Sequence, residues 1–184
     1  MRITGGKARG IPIKAPKGNL TRPTTDRMRE AIFSSLGECV VGSRVVDLFA
    51  GTGAYGLEAL SRGAQEAVFY ETNRHAIACL NINRQAVLKS CGLEDSLKVT
   101  ARDVYTLEPS MKAADLIFVD PPYKVIQPRF ESILKTINQH AITGTRLIFE
   151  FPGNMEINPA DWELIRHFGQ AKHDSPNAAI FIRN

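Results

Sequence analysis

The turn Gly51-Thr52-Gly53-Ala54-Tyr55-Gly56 follows an apolar run, Arg44-Val45-Val46-Asp47-Leu48-Phe49-Ala50, and leads into a segment of helical periodicity near Tyr55 to Arg62. A strand that passes through a glycine turn into a helix must lay that helix back on its own sheet. This commits the chain to βαβ units. Later runs keep the alternation. A second strand is expected near Ala67 to Glu71, and a helix capped by Asn73 carries Ile77, Leu80, Val87 and Leu88 on one face before Gly92. Strands near Leu97 to Arg102 and at Leu116-Ile117-Phe118-Val119 follow, then a helix over 128–139 and a strand at Arg146 to Phe151.

The end of the chain departs from an all-parallel sheet. Strands near Trp162 to His167 and Ala178 to Ile182 are separated by about ten residues that include Gly169 and Pro176. A parallel crossover needs roughly a dozen or more, so the last strand should run antiparallel to its predecessor. The expected fold is α/β, a doubly wound Rossmann-like sheet. Ahead of it, residues 1–20 should form a small basic β-ribbon or arm. Residues 21–37 should supply a loop and a helix capped by Thr25, with Met28, Ile32 and Leu36 on its inner face. The core occupies 44–184, and the 184 residues are expected to make one domain.

Apolar and charged fractions of 43% and 23% suit a globular chain rather than a disordered one. No run approaches the ~18 apolar residues of a membrane span, and no apolar stretch follows the first positive charges, so a cytoplasmic protein with no membrane partner is expected. Cys39, Cys79 and Cys91 lack metal-ligand spacing, as do His75, His140, His167 and His173; no metal site is expected. The net charge of +4 is unevenly spread: residues 1–30 hold eight basic side chains against Asp26 and Glu30, leaving −2 for the rest. Such an arm suits tracking of nucleic-acid phosphates, with Arg2, Lys7, Arg9, Lys14 and Arg22 as contacts; a merely solvated basic terminus is the alternative.

Gly51 and Gly53 let backbone approach a ligand closely, and Glu71, twenty positions after Gly51, can accept hydrogen bonds from ribose hydroxyls. A nucleoside cofactor follows from this pairing. Asp47 distinguishes the candidates, because a carboxylate inside an apolar strand needs a partner. The ammonium group of S-adenosylmethionine is such a partner, whereas a dinucleotide would bring pyrophosphate to the same place. A structural role, capping backbone groups of the turn, is the other reading. Asp103 and Val104, past the third strand, are placed to meet an adenine through the carboxylate and the peptide N–H, although aspartate is also common in strand-end turns.

Asp120-Pro121-Pro122-Tyr123 follows the fourth strand at the carboxyl edge, where open α/β sheets bind ligands. Two acceptors, the Asp120 carboxylate and the Pro121 carbonyl, can engage both hydrogens of an exocyclic amine and turn its lone pair toward a methyl donor. The prolines fix that geometry in advance. Tyr123 can stack on an extruded base.

Val46 to Gly53 and Asp120 to Tyr123 resemble the cofactor and amino-methylating motifs of class I methyltransferases. Arg2-Ile3-Thr4-Gly5-Gly6, Arg22 to Glu30 and Gly56 to Gly63 extend the likeness over nearly the whole chain, to the RsmD family of guanine-N2 methyltransferases acting on bacterial 16S rRNA. The resemblance implies a seven-stranded sheet, S-adenosylmethionine as donor, and small-subunit rRNA, in the 30S subunit or an assembly intermediate, as substrate. It also implies that Thr24 or Thr25 lies near the cofactor. Asn73 stands where many relatives carry an acid.

Three other readings share some of these residues. A DNA adenine-N6 or cytosine-N4 methyltransferase would use the same Asp-Pro-Pro-Tyr, but the chain leaves little room for a sequence-reading domain. An NAD(P)-dependent oxidoreductase would use the glycine turn and Glu71, but not Asp47 or the antiparallel end. A silent RNA-binding module on this fold would have no need of Asp120 and Glu71.

Overall fold

The computed structural model describes residues 1–16, 25–93, 98–100, 114–139, 141–170 and 175–184. Its helices are α1 (Asp26–Leu36), α2 (Ala54–Ser61), α3 (Arg74–Cys91) and α4 (Tyr123–Asn138), and a single 3-10 turn, Gly37–Val40, follows α1. The strands are β1 (Arg44–Leu48), β2 (Glu66–Tyr70), β3 (Lys98–Thr100), β4 (Leu116–Val119), β5 (Arg146–Pro152), β6 (Trp162–Phe168) and β7 (Pro176–Arg183). They form one seven-stranded sheet in the order β3-β2-β1-β4-β5-β7-β6. The first five run parallel, and β7 is antiparallel to both β5 and β6. The antiparallel ending therefore stands as the loop length predicts.

Strand alternation divides the core in two. Val45, Phe69, Leu116, Phe118 and Ile148 pack on one face with Ile32, Phe33, Leu57, Leu80 and Val87 of α1, α2 and α3. Val46, Leu48, Ile117, Val119 and Leu147 pack on the other with Ile126, Ile133 and Ile137 of α4. The four residues of β4 are buried throughout, as an uninterrupted apolar run in a central parallel strand requires. Burial of each such side chain contributes about 1.5–3 kcal/mol.

Helix ends follow local chemistry. Thr25 Oγ1 accepts the Met28 N–H at 3.2 Å and starts α1, and Asn73 Oδ1 accepts the His75 and Ala76 N–H groups and starts α3. One expectation needs correction. The helix expected from 128 begins at Tyr123, with Pro122 as its cap and Pro128 inside it. Pro122, the second proline of the Pro-Pro pair, stands just ahead of the first turn, where a missing N–H costs no intrahelical bond.

The expected N-terminal ribbon is reduced to an isolated antiparallel bridge, Arg2 to Pro12, with Ile3 N–H on Ile11 O, Gly10 N–H on Ile3 O and Ile13 N–H on Met1 O around it. Four of the arm's other main-chain donors go to α2. Lys7 N–H reaches Ser61 O at 2.7 Å, Ala8 N–H reaches Ser61 Oγ at 2.9 Å, and the Thr4 and Gly5 N–H groups reach Glu58. Ile3, Ala8 and Ile13 are buried, so the arm is moored on the body as well as paired with itself.

Arg29 departs from the charge reading. It is 0% exposed, held by Glu58 Oε2 at 3.3 Å, by Asp26 Oδ1 at 2.9 Å and by the Arg2 carbonyl. One of the eight basic residues counted toward a solvent face is therefore a core residue. Among the described residues, no helix is long and apolar enough to cross a membrane.

Candidate active site

The turn after β1 is closed by main-chain bonds: Ala50 N–H to Tyr70 O at 3.0 Å, Gly53 N–H to Ala50 O at 2.7 Å and Leu57 N–H to Gly53 O at 2.9 Å. Three of its residues take positive φ: Phe49 at 60°, Gly51 at 54° and Gly53 at 80°. For Phe49 this is uncommon backbone, of the kind that concentrates at functional sites. The two glycines serve different ends. A Cβ on Gly53 would lie 2.1 Å from Leu80 Cδ1, so Gly53 lets the turn settle on α3. Among the described residues, a Cβ on Gly51 would meet nothing nearer than Phe49 O at 3.9 Å, so that position is open toward them.

Strand register brings four carboxylates to one edge. Asp47 is level with Phe69 on β2 and Phe118 on β4, and Val119 is level with Phe149 on β5. Alternation sets Asp47 and Glu150 on the face shared by Phe69, Phe118 and Ile148. Carried one residue past the strand ends, it sets Glu71 and Asp120 over that same face. Neighbouring strands lie about 4.8 Å apart, so Glu71, Asp120 and Glu150 form a row, with Asp47 one step below it.

Asp47 is 2% exposed and its Oδ2 accepts the Gly56 N–H at 2.9 Å. Burial pushes its carboxyl up to about 8; the Gly56 N–H opposes this, and the nearby Glu71 and Glu150 charges add to it. The capping role is thus present in the molecule. Glu71 is half-buried and accepts three main-chain N–H groups, from Gly51, Thr72 and Asn73, each at 2.7 Å. A carboxylate offers about four acceptor positions, which leaves room for a further donor.

Asp120 is half-buried directly after β4 with its N–H facing Leu48 O at 3.5 Å, Pro121 is buried, and Pro122 is extended at ψ 134° as it enters α4. The tetrapeptide thus sits beside the glycine turn, on the strand next to β1. The Tyr123 side chain, Thr24, Arg22, Asp103 and Val104 lie outside the described residues. Thr25 is exposed and its hydroxyl is occupied in capping α1. Arg2, Lys7, Arg9 and Lys14 are all exposed on the arm.

Two residues of this region were not singled out from sequence. Glu150, 4% exposed, accepts the Tyr55 hydroxyl, and the Tyr55 ring stacks on Phe118 at 4.8 Å between centroids. The signal was a charge inside Leu147-Ile148-Phe149-Glu150-Phe151, the same anomaly that marks Asp47. Asn83 falls in the buried stripe Ala76, Leu80, Asn83, Val87 of α3, where helical spacing makes a polar residue conspicuous. Trp162 is buried and its Nε1–H donates to Asn138 Oδ1 at 2.8 Å, which agrees with an edge-packing role. Cys39, Cys79 and Cys91 are free thiols.

Two cavities lie away from the turn. One of about 130 Å³ is bounded by Arg2, Arg9, Asp26 and Glu30, and one of about 510 Å³ lies between α4 and residues 158–160. Among the described residues, no group of three or more His, Cys, Asp or Glu side chains could hold a metal ion.

A doubly wound seven-stranded sheet with β7 inserted antiparallel, a glycine turn after β1 and Asp-Pro-Pro-Tyr after β4 define a class I methyltransferase. Within that class, a family described as Conserved hypothetical protein 95 has a model that matches residues 1–174, and the chain belongs to this family, that of RsmD. Ribosomal RNA small subunit methyltransferase D of Escherichia coli strain K12 is 33% identical over 170 residues, covering 90% of this chain and 83% of that one. YlbH of Bacillus subtilis, described as a candidate rRNA methyltransferase, is 36% identical over 147 residues, 76% of this chain and 75% of its own. The solved structure of yhhF, a candidate methyltransferase of Escherichia coli, superposes with a TM-score of 0.81 at 29% identity, covering 100% of this chain and 98% of that one.

Proposed function

We propose that the protein transfers a methyl group from S-adenosylmethionine to the exocyclic N2 amine of a guanine in 16S rRNA, in the small ribosomal subunit or an intermediate of its assembly. The observation that carries this reading is the adjacency of the open glycine turn on β1 to Asp120-Pro121 on β4, at one edge and over one face of the sheet. The rRNA substrate rests on the named relatives and the family. It makes the cytoplasm the place of work, with the chain acting as one methyltransferase unit.

The residues present fit the donor. Gly51 presents open backbone, and Glu71 keeps acceptor capacity beside the Gly51 N–H, where ribose hydroxyls would lie. Asp120 and Glu150 make the crevice acidic and Asp47 can ionise against a bound cation, which suits a ligand that carries ammonium and sulfonium charges better than one that brings pyrophosphate. Asp103 and Val104 are proposed for the adenine, and Thr24 and Thr25 for the crevice rim. When bound, S-adenosylmethionine supplies an electrophilic methyl group, so the transfer calls for no metal. Asp120 and the Pro121 carbonyl accept the two amine hydrogens and aim the nitrogen lone pair. Pro122 fixes that pair of acceptors, and Tyr123 stacks on the base. The carboxylate of Asp120 also offsets charge that develops on the amine. Arg2, Lys7, Arg9, Lys14 and Arg22 hold the RNA backbone.

The test uses the full chain, labelled donor and unmodified small-subunit rRNA or subunits, with the product digested to nucleosides. N2-methylguanosine is the expected product; N6-methyladenosine or N4-methylcytosine overturns the base assignment. Asp120→Ala should reduce transfer by at least about a hundredfold with donor affinity retained, and unchanged turnover removes Asp120 from the chemistry.

A further inference from the structure

One buried amide joins the basic arm to the glycine turn. Asn83, 1% exposed on α3, donates from Nδ2 to the Lys14 carbonyl at 2.9 Å and to the Thr52 carbonyl at 3.0 Å. Its Oδ1 accepts the Lys14 N–H at 2.8 Å. Only this orientation of the amide satisfies all three contacts, since a flip would set an oxygen against two carbonyls and an NH2 against an N–H. Both Nδ2 hydrogens and both main-chain groups of Lys14 are thereby committed. Thr52 stands between Gly51 and Gly53, in the turn itself.

Other anchors of the arm do not reach the turn: Ser90 Oγ on α3 donates to the Lys7 carbonyl at 3.4 Å, and Asp26 and Arg29 on α1 hold the main chain of Arg2. Thr4 and Gly5 are held by Glu58, and Lys7 and Ala8 by Ser61, all on α2. Asn83 cannot follow a displacement of either neighbour, because α3 is an 18-residue helix pinned by buried Leu80, Val87 and Leu88. A shift of Lys14 therefore breaks bonds to Asn83 rather than being absorbed, and the loss falls on the group that also orients the Thr52 carbonyl.

We propose that Asn83 is a positioning residue for methyl transfer: holding Lys14 and Thr52 with one amide, it makes RNA binding on the arm and donor binding in the turn reinforce each other. This rests on the reading of the donor and RNA sites given above. RNA that fixes the arm in its docked place orders the Thr52 peptide against which the donor lies, and a bound donor holds the arm for RNA. The coupling is reciprocal by linkage. With one to two net hydrogen bonds at stake, its size is about three- to tenfold in affinity.

The experiment is a thermodynamic cycle on the full chain. The affinity for S-adenosylhomocysteine, which fills the donor site without turnover, is measured by calorimetry alone and with saturating unmodified small-subunit rRNA. RNA affinity is measured with and without it. Wild type should show the same three- to tenfold tightening in both directions. Asn83→Leu, of similar volume without polar atoms, should bring that ratio to about one. Lys14→Pro removes the N–H that Oδ1 accepts together with the Lys14 side chain, so it is read against Lys14→Ala, which removes the side chain alone; relative to Lys14→Ala it should lower the ratio as well, and the pair decides the matter if Asn83→Leu fails to fold. A merely structural Asn83 would lower the unfolding temperature of the variants and leave the ratio unmoved, which overturns the proposal. So does a wild-type protein that binds each ligand equally with and without the other. Failure of wild type to bind the donor analogue or the RNA at all overturns instead the reading beneath it.

Discussion

The Asp47 carboxylate accepts the Gly56 peptide N–H at 2.9 Å, so the acid inside β1 closes the very turn that β1 enters. That bond uses one of its oxygens, while burial and the nearby Glu71 and Glu150 discourage its ionisation. A cationic ligand in the crevice would reverse the balance, because it favours the ionised form that burial disfavours. Turn closure and charge matching can be separated by substitution.

Asp47→Asn keeps an acceptor for Gly56 and removes the charge. Donor affinity should fall about ten- to hundredfold, the worth of a hydrogen bond to a charged group, while the fold persists. In wild type the donor-free carboxyl titrates near 8 and binding should release its proton, so donor affinity should rise with pH up to about 8 and then level. The variant should show no such rise. Calorimetry across that range checks both; equal affinities in the two proteins would leave Asp47 with turn closure alone.

The same group gives a stability slope of definite sign. A carboxyl raised from 3.8 to about 8 in the folded protein stabilises it fully below 3.8, and the contribution is lost as pH rises through about 8. Donor-free wild type should therefore lose stability between about pH 4 and about pH 8 relative to Asp47→Asn. Denaturant unfolding of the two proteins at both ends of that window measures the difference, and parallel profiles would contradict it.

Gly51 and Gly53 should fail in different ways. Gly53→Ala meets Leu80 Cδ1 at 2.1 Å and a φ of 80°, so overpacking and left-handed strain together should cost about 2–5 kcal/mol of stability. Gly51→Ala meets no neighbour inside 3.9 Å among the described residues and should cost only the strain, about 1–2 kcal/mol, yet lose donor binding because the methyl fills the open approach. Unfolding curves and donor calorimetry on both variants would show this crossing of effects. Equal losses in both assays would place the two glycines in one role.

Glu58 is 0% exposed and gathers the Thr4 and Gly5 N–H groups, the Thr4 hydroxyl, Arg29 and Arg62. Glu58→Ala strands the buried Arg29 charge and should cost about 3–5 kcal/mol. Amide exchange at Thr4 and Gly5 should quicken at the same time, since their acceptor is gone. Arg29 is already helped by Asp26, whose carboxyl is raised by burial yet held below 3.8 overall by its bonds to Arg29 and the Arg2 N–H and by the Arg29 and N-terminal charges. A small loss of stability with unchanged exchange would mean that the arm does not depend on this network.

The sheet was legible because its signals are local. β1, its glycine turn and α2 follow from a run of apolar residues and the spacing of three glycines, and the antiparallel β7 follows from loop length. Thr25 and Asn73 announce helix starts through their own side-chain oxygens. Glu150, Asn83 and Arg29 were hidden for a common reason: each is a polar group that has a partner 29 or more residues away, Tyr55 for Glu150, Thr52 and Lys14 for Asn83, and Glu58 for Arg29, which Asp26 also holds from three residues off. Periodicity can mark such a residue as misplaced, but only the folded packing names what satisfies it. The arm was only partly legible for the same cause: Ile3, Gly10 and Ile13 pair within it as a small ribbon would, but the main-chain donors of Thr4, Gly5, Lys7 and Ala8 go to α2.

Whether the arm touches RNA is a question about its side chains, and it can be put apart from the main-chain coupling through Asn83. Lys7, Arg9 and Lys14 are exposed, and the bonds that moor the arm use the peptide groups of Lys7, Ala8 and Lys14. Replacing all three side chains with alanine should therefore leave the arm docked and the unfolding temperature nearly unchanged. Each phosphate that is no longer neutralised takes about 0.7–0.9 off the slope of log affinity against log salt. The triple variant should thus bind small-subunit rRNA more weakly, with a slope shallower by about two to three. Arg2 is a poorer probe, because Asp26 lies 3.9 Å from its guanidinium and its carbonyl holds Arg29. Filter binding over a range of salt concentrations gives the slope directly. If affinity and slope were both unchanged, the three charges would have no part in RNA binding, and the arm would be a brace for α2 and α3 alone.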